Sequence, residues 1–205
     1  MNPLSTIKGT IIAGVVLAIV VAILVAALEK TGFAFNVPSF IIWLHVLAGI
    51  TWIGLLYYFN FVQTPALAAA AKDQGGPGGA GINKYVAPRA LLWFRWGAVF
   101  TWLTGVAYLA HVHVLTDAIK LGIGSGNLLA TYIGVGAWLG TIMLFNVWVL
   151  IWPNQKKVLG LVEATAEQIA KARRVAFLAS RANTVLSIPM LMSMVSFGHG
   201  GFFIN

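Results

Sequence analysis

Long apolar stretches are the feature of this sequence that most restricts its fold. They cover residues 11–28, 40–62, 90–114, 128–152 and 175–197, and each is near the roughly 20 residues that an α-helix needs to cross a bilayer. Only 9% of the residues are charged and 60% are hydrophobic, which excludes a soluble globular domain. The sequence therefore predicts an all-α integral membrane protein, a single bundle of five transmembrane helices in the lipid bilayer.

The basic residues predict how this bundle is oriented. Of the 13 lysines and arginines, only Lys30 and Lys120 fall on one side of the predicted bundle, and the others flank the opposite side. Because positive residues accumulate in cytoplasmic loops, we expect a cytoplasmic N-terminus and a periplasmic C-terminus in a bacterial inner or intracytoplasmic membrane. The same bias accounts for the net charge of +8, so binding to nucleic acid is not expected.

Two cytoplasmic connections differ in composition. Residues 72–84 contain the run GGPGGAG, which opposes regular structure and predicts a flexible loop. Residues 156–174 carry apolar side chains at helical spacing, and Glu167 lies four positions before Lys171. We expect an amphipathic helix there, at the inner membrane surface. No internal repeat is expected.

The four histidines are the first candidates for a functional site. His45 lies in the second span, His111 and His113 end the third, and His199 follows the fifth, so all four are expected in the outer half of the bundle. The chain has no cysteine, which excludes thiolate metal sites and covalently attached haem. Neutral imidazole is the usual protein ligand for haem iron and copper.

These histidines permit two cofactor hypotheses. In one, His45 and either His111 or His113 are the axial ligands of a b-type haem, and Trp52 packs against the macrocycle. In the other, the helix frays at its end and His111 with His113 chelates copper, because residues two apart on an intact helix point in nearly opposite directions. A histidine near the interface is also explained as an amphipathic anchor or as the partner of a backbone carbonyl. This explanation is favoured for His113 and His199, and a packing role is favoured for Trp52.

A second polar group is predicted in the inner half of the bundle. Arg95, Asn146, Arg181 and Asn183 fall at similar depth in three different spans. Functionally, they could bind an oxyanion resembling urate, or the propionates of a cofactor. Structurally, they could be snorkelling arginines and amides that join helices by hydrogen bonds.

Four blocks of the sequence resemble a known family. They are HVLAGITWIGLLYYFNFVQTP (45–65), APRALLWFRWGAVFTWLTG (87–105), GAWLGTIMLFNVWVLIWPNQKK (136–157) and ASRANTVLSIPMLMSM (179–194). They are similar to the membrane domain of the bacterial cytochrome-c-linked urate oxidases, the urate hydroxylase family. The resemblance implies a multi-helix membrane protein that works with a cytochrome c domain on the outer side. The motif blocks include His45, Trp52, Arg95, Asn146, Trp148, Asn154, Arg181 and Asn183.

The chain contains no C-x-x-C-H motif, so we expect a partner to supply the cytochrome. The first functional hypothesis is a small membrane redox subunit that binds haem b and exchanges electrons with a periplasmic cytochrome c or a larger membrane enzyme complex. The second is an accessory subunit without a cofactor of its own. The third is a urate-type oxidase that needs a separate cytochrome c. No carboxylate relay crosses the spans, which argues against a transporter.

Overall fold

A computed structural model describes residues 2–28 and 34–201 of the chain. Lys30, one of the two basic residues predicted on the outer side, lies outside the described residues. The described residues form helices and no strand, and four continuous helical runs are long and apolar enough to cross a membrane: Ile7–Leu28, Val37–Lys72, Leu128–Val158 and Ala166–His199. The prediction of an all-α, multi-pass membrane protein is thereby confirmed in its coarse form.

The N-terminal unit, residues 1–37, is dominated by one helix. Helix α1 (Ile7–Leu28) follows a short 3₁₀ turn at Pro3–Ser5, in which the Asn2 side chain accepts a hydrogen bond from the Leu4 N–H at 2.9 Å. After Lys8 and Thr10 in its first turn, its side chains are apolar on every face, and none is buried by protein. Such a helix is suited to a lipid environment.

The second unit, residues 38–205, consists mainly of two helical hairpins. The first hairpin joins α2 (Val37–Tyr57) and α3 (Thr64–Lys72) to α4 (Ala87–His111), and the second joins α6 (Leu128–Phe145) and α7 (Trp152–Val158) to α8 (Ala166–His199). The short helix α5 (Leu115–Ile119) lies between the hairpins. We call the end of this unit that carries Lys72, Lys84, Arg89, Lys156 and Lys157 the basic end.

Three of the four long arms of this unit contain a π-helical segment just before a proline, and α8 contains Pro189 without one in the described residues. The segments are Tyr58–Gln63, Ile82–Val86 and Asn146–Ile151, and they precede Pro65, Pro88 and Pro153. Proline has no N–H and its ring crowds the carbonyl four residues earlier. The wider turn lets the helix continue, since the N–H of Trp152 donates to the Val147 carbonyl five residues back.

Contrary to the expectation of no repeat, a short motif recurs in the two hairpins. The pattern W-(I/L)-G-x-x-x-x-F-N occupies 52–60 in the first and 138–146 in the second. Other identical residues keep the same spacing between the hairpins, including Arg95 with Arg181, Val99 with Val185, and His113 with His199. The shared motif and the shared order of elements make corresponding positions in the two hairpins comparable.

The connection at residues 156–174 differs from the single amphipathic helix expected there. Helix α7 ends at Val158, and Gly160 adopts a left-handed φ of 71° while Leu161 N–H donates to the Lys156 carbonyl. Helix α8 then starts with a capping box, in which the Thr165 hydroxyl and the Gln168 side chain each accept the other's backbone N–H. Residues 166–174 are therefore the first turns of α8.

The Gly-rich connection is shorter than the predicted 72–84. Irregular backbone covers 73–79, and helical structure resumes before the π-helical segment Ile82–Val86. Helix α4 has 25 residues, enough to cross a bilayer, but its two arginines and three tryptophans lower its hydropathy and it is not among the four apolar runs.

The core of the second unit lies where α2, α4, α6 and α8 meet. Its fully buried members include Trp52, Leu56, Phe94, Met143 and Val147. The Phe59 and Phe94 rings pack edge to face at 5.4 Å and join α4 to the π-helical segment after α2. Polar side chains are also buried here, and they form the candidate sites.

Candidate functional site

His45 is held between two helices by a hydrogen bond to the backbone. Its Nδ1 lies 2.8 Å from the carbonyl oxygen of Thr101 on α4. A carbonyl only accepts, so Nδ1 carries the proton and donates it. In the neutral imidazole the lone pair is then on Nε2, which is the tautomer that a metal-ligating histidine uses when its other nitrogen is anchored.

Gly105 lets the His45 ring approach α4 closely. A Cβ atom at this position would lie 3.0 Å from Cε1 and 3.2 Å from Nδ1 of His45. The hydroxyl of Thr104 lies 3.3 Å from the same nitrogen and donates to the Phe100 carbonyl at 2.6 Å. The ring orientation is thus set by one turn of α4. Gly105 is one of the small residues that the sequence offers for close helix contact, whereas Thr101 was not expected.

His45 and His111 are not brought to one level. His45 faces residues 101–105 of α4, whereas His111 is the last residue of that helix. At about 1.5 Å per residue, six residues beyond Gly105 place the His111 backbone roughly 9 Å further along the axis. Both residues would have to lie at similar depth to hold one haem, so the chain would hold it through His45 alone rather than through this pair.

His113 serves as the cap of α4. The backbone adopts a left-handed φ of 59° there, and the N–H groups of His113 and Val114 donate to the carbonyls of Ala110 and Leu109. This is the Schellman arrangement, in which glycine is the usual residue. The helix therefore ends at His111, and the two side chains of the H-x-H pair are not confined to opposite helix faces.

His199 is the last residue of α8 and is exposed, as are His111 and His113. The Tyr108 and Phe197 rings meet at 6.5 Å, so the ends of α4 and α8 are neighbours. Within residues 2–28 and 34–201, no three histidine or acidic side chains come together as a metal site.

Buried amides form the second candidate site. Asn146 donates to the Asn183 side chain at 2.8 Å, and Asn183 donates to the Met143 carbonyl at 3.0 Å. Asn60, in the corresponding position of the first hairpin, donates to Ser180 at 2.8 Å and to the Leu56 carbonyl at 2.9 Å. Asn60 and Asn183 are 2% and 0% exposed. These bonds join three helical arms and use the amide donors within the protein.

Another polar contact was not expected from the sequence. The Tyr57 hydroxyl lies 3.0 Å from the Ser187 hydroxyl, and Ser187 donates to the Thr184 carbonyl at 2.7 Å. Serine is common in membrane helices, and a hydroxyl that can bond its own backbone carries no sequence signal for a distant partner.

The two arginines contact aromatic rings. The Arg95 guanidinium lies 3.9 Å from the Trp152 ring centroid, and that of Arg181 lies 5.2 Å from the Phe177 ring. Both are half-buried, and no described hydrogen bond joins either guanidinium to the buried amides. This geometry favours the structural interpretation of the predicted anion group.

Trp52 lies in the protein core. It is 2% exposed, and its backbone nitrogen would be 3.3 Å from a Cβ at Gly97. Its indole Nε1 has no hydrogen-bond partner among the described residues. A side chain this enclosed packs helix against helix.

A comparison with protein families matches most of the chain. The model described as "Urate oxidase N-terminal" covers residues 36–124 and 125–204, which correspond closely to the two hairpins with the connection between them. No curated protein and no solved structure matches the chain.

Proposed function

Because the chain belongs to the urate oxidase N-terminal family, we propose that it is a membrane redox subunit that binds b-type haem through His45. It passes electrons to or from a separate periplasmic cytochrome c or a larger membrane complex. The electron transfer is chemistry that the haem supplies when bound. The chain's own residues hold the His45 ring, and with it the ligand nitrogen, in place.

The geometry of His45 is the single observation that carries this proposal. The Nδ1–H bond to Thr101 fixes the ring and leaves Nε2 as the free lone pair. A backbone carbonyl on a metal-bound histidine also raises the basicity of the ligand. The close approach at Gly105 limits rotation of the ring.

We further propose that the chain crosses the membrane five times, with α4 as the crossing that hydropathy alone does not identify. The basic end is then cytoplasmic, and His45 lies in the outer half of a bacterial inner or intracytoplasmic membrane. This placement puts the candidate haem ligand on the side where a periplasmic electron carrier docks.

The reduced-minus-oxidised visible spectrum of the protein in mild detergent tests the proposal. We expect the α-band of a b-type haem in the wild type and its loss in His45→Ala. His199→Ala is the matched control, because this histidine is exposed and has no described contact, and it should keep the band. The His111→Ala variant distinguishes two ligation schemes. It keeps the band if His45 is the single histidine ligand, and it loses the band if His111 is a second ligand.

The other hypotheses predict different results in the same preparation. Copper at His111 and His113 would appear in metal analysis and would be lost on substitution of either residue. No haem band and no bound metal would overturn the proposal and favour an accessory subunit. Reduction of added cytochrome c that depends on urate would identify a urate-type oxidase.

A further inference from the structure

A groove opens between the two arms of the first hairpin at the basic end. Its volume is about 440 Å³, and it is shallow and open along most of its surface. Its lining is mostly apolar and aromatic, and includes Leu55, Tyr58, Tyr85, Ala90 and Trp93. Trp93 is 55% exposed and Tyr85 is 58% exposed, so other parts of the protein do not cover these aromatic rings.

The second hairpin shows what this surface looks like when protein closes it. The positions that correspond to Val86, Ala90 and Trp93 hold Ala172, Ala176 and Ala179. These three alanines are buried, at 1%, 1% and 7% exposure, because small side chains let helices approach closely. In the first hairpin, Ala90 is also an alanine, but Val86 and Trp93 are larger than the alanines in the corresponding positions, and the surface there is open.

Two cations stand at the edge of the groove. The Arg89 guanidinium donates to the Tyr85 carbonyl at 2.6 Å, and the Lys84 ammonium lies 5.4 Å from the Tyr85 ring. Neither is paired with a carboxylate in the described part of the chain. Valine occupies the position of Arg89 in the second hairpin, at 175. The arginine is therefore present in the hairpin whose groove is open and absent from the one whose corresponding surface is buried.

We propose that this groove binds one anionic phospholipid. Its acyl chain lies against Leu55, Tyr58 and Trp93, and its phosphate is bound by Arg89 and Lys84. Aromatic rings and cations together at a membrane surface match the two halves of such a molecule. Arginine is suited to phosphate because its planar guanidinium can donate two parallel hydrogen bonds.

Native mass spectrometry in mild detergent tests this site. The protein is titrated with phosphatidylglycerol or with phosphatidylcholine of the same acyl chains, and the fraction carrying one lipid is measured. We expect the anionic lipid to be retained at a concentration about tenfold lower than the zwitterionic lipid. Arg89→Gln should reduce this preference several-fold, and Arg89→Lys should restore part of it.

Two further variants provide a test that does not depend on Arg89 alone. Ala90→Phe fills the groove with both cations intact and should also abolish the preference. Arg173→Gln removes an exposed arginine near the start of α8 and should leave it unchanged. Equal retention of the two lipids, or equal loss in Arg89→Gln and Arg173→Gln, would overturn the proposal. Competition by glycerol phosphate as strong as that by the whole lipid would assign the site to a free phosphate instead.

Discussion

Buried polar side chains in this bundle are oriented by backbone carbonyls of neighbouring helices. His45 donates to Thr101 and Asn183 donates to Met143. A helical carbonyl has a second lone pair, so it can accept a side-chain donor as well as its intrahelical N–H. The polar group is thereby satisfied in a region where water is scarce, and its direction is fixed.

Replacing Asn183 tests how far such bonds stabilise the bundle. Asn183→Ala removes the bonds to Asn146 and Met143, and we expect the free energy of unfolding in detergent to fall by about 1–2 kcal/mol. The control is Val185→Ala, because Val185 is 68% exposed on the same helix. Denaturation by sodium dodecyl sulfate measures both variants, and an equal effect would show that the amide network contributes nothing specific.

The sequence identified the donors of these bonds but not their acceptors. His45, Asn146 and Asn183 are conspicuous because a polar side chain in an apolar span needs a partner. Thr101 and Met143 are not conspicuous, because every residue has a carbonyl. The position of His45 along α4 depends on how the two helices pack, which the sequence does not show. The pairing of His45 with His111 therefore rested only on their similar expected depth in the membrane.

At the scale of elements, the α2–α4 contact determines the site. Both glycines of α4 that face α2 allow a close approach. Gly105 lies against the His45 side chain, and Gly97 lies against the backbone of α2 at Trp52. The helix ends depend on local signals: the capping box at Thr165 starts α8, and prolines follow the π-helical segments. Apolar length predicted where the helices lie, but these short signals decide where they begin, widen and end.

Gly105→Ala tests the role of this contact in orienting His45. The new Cβ would lie 3.0 Å from Cε1 of the ring, so we expect the ring to shift and the protein to retain less than half of the wild-type haem. Gly54→Ala is the control, since a Cβ there meets nothing within 4 Å. Haem content per protein is measured by absorbance, and equal content in the two variants would contradict a positioning role for Gly105.

At the scale of the whole molecule, the two hairpins run in the same direction. The connection between the two arms of each hairpin lies at the basic end. The repeated motif escaped sequence analysis because it is short and is surrounded by apolar residues that vary freely. The hairpins are not interchangeable: His45 corresponds to Thr131, and Arg89 to Val175. The proposed haem ligand and the proposed lipid groove therefore both belong to the first hairpin.

The absence of cysteine makes the orientation directly measurable. Single cysteines at Gly76 and Glu163, in the two connections at the basic end, should react with an impermeant maleimide only after the inner membrane is opened. A cysteine at Ser125, between the hairpins, should react in intact spheroplasts. Labelling of all three from one side would contradict the five-crossing topology.

The central claim is that His45 supplies a haem ligand, and chemical rescue tests it most directly. His45→Gly removes the imidazole, and free imidazole is then added to the purified variant with haem. We predict that the variant alone lacks the b-type α-band and that imidazole restores it, while the wild-type spectrum stays unchanged. A band of wild-type intensity in His45→Gly without imidazole would contradict the account.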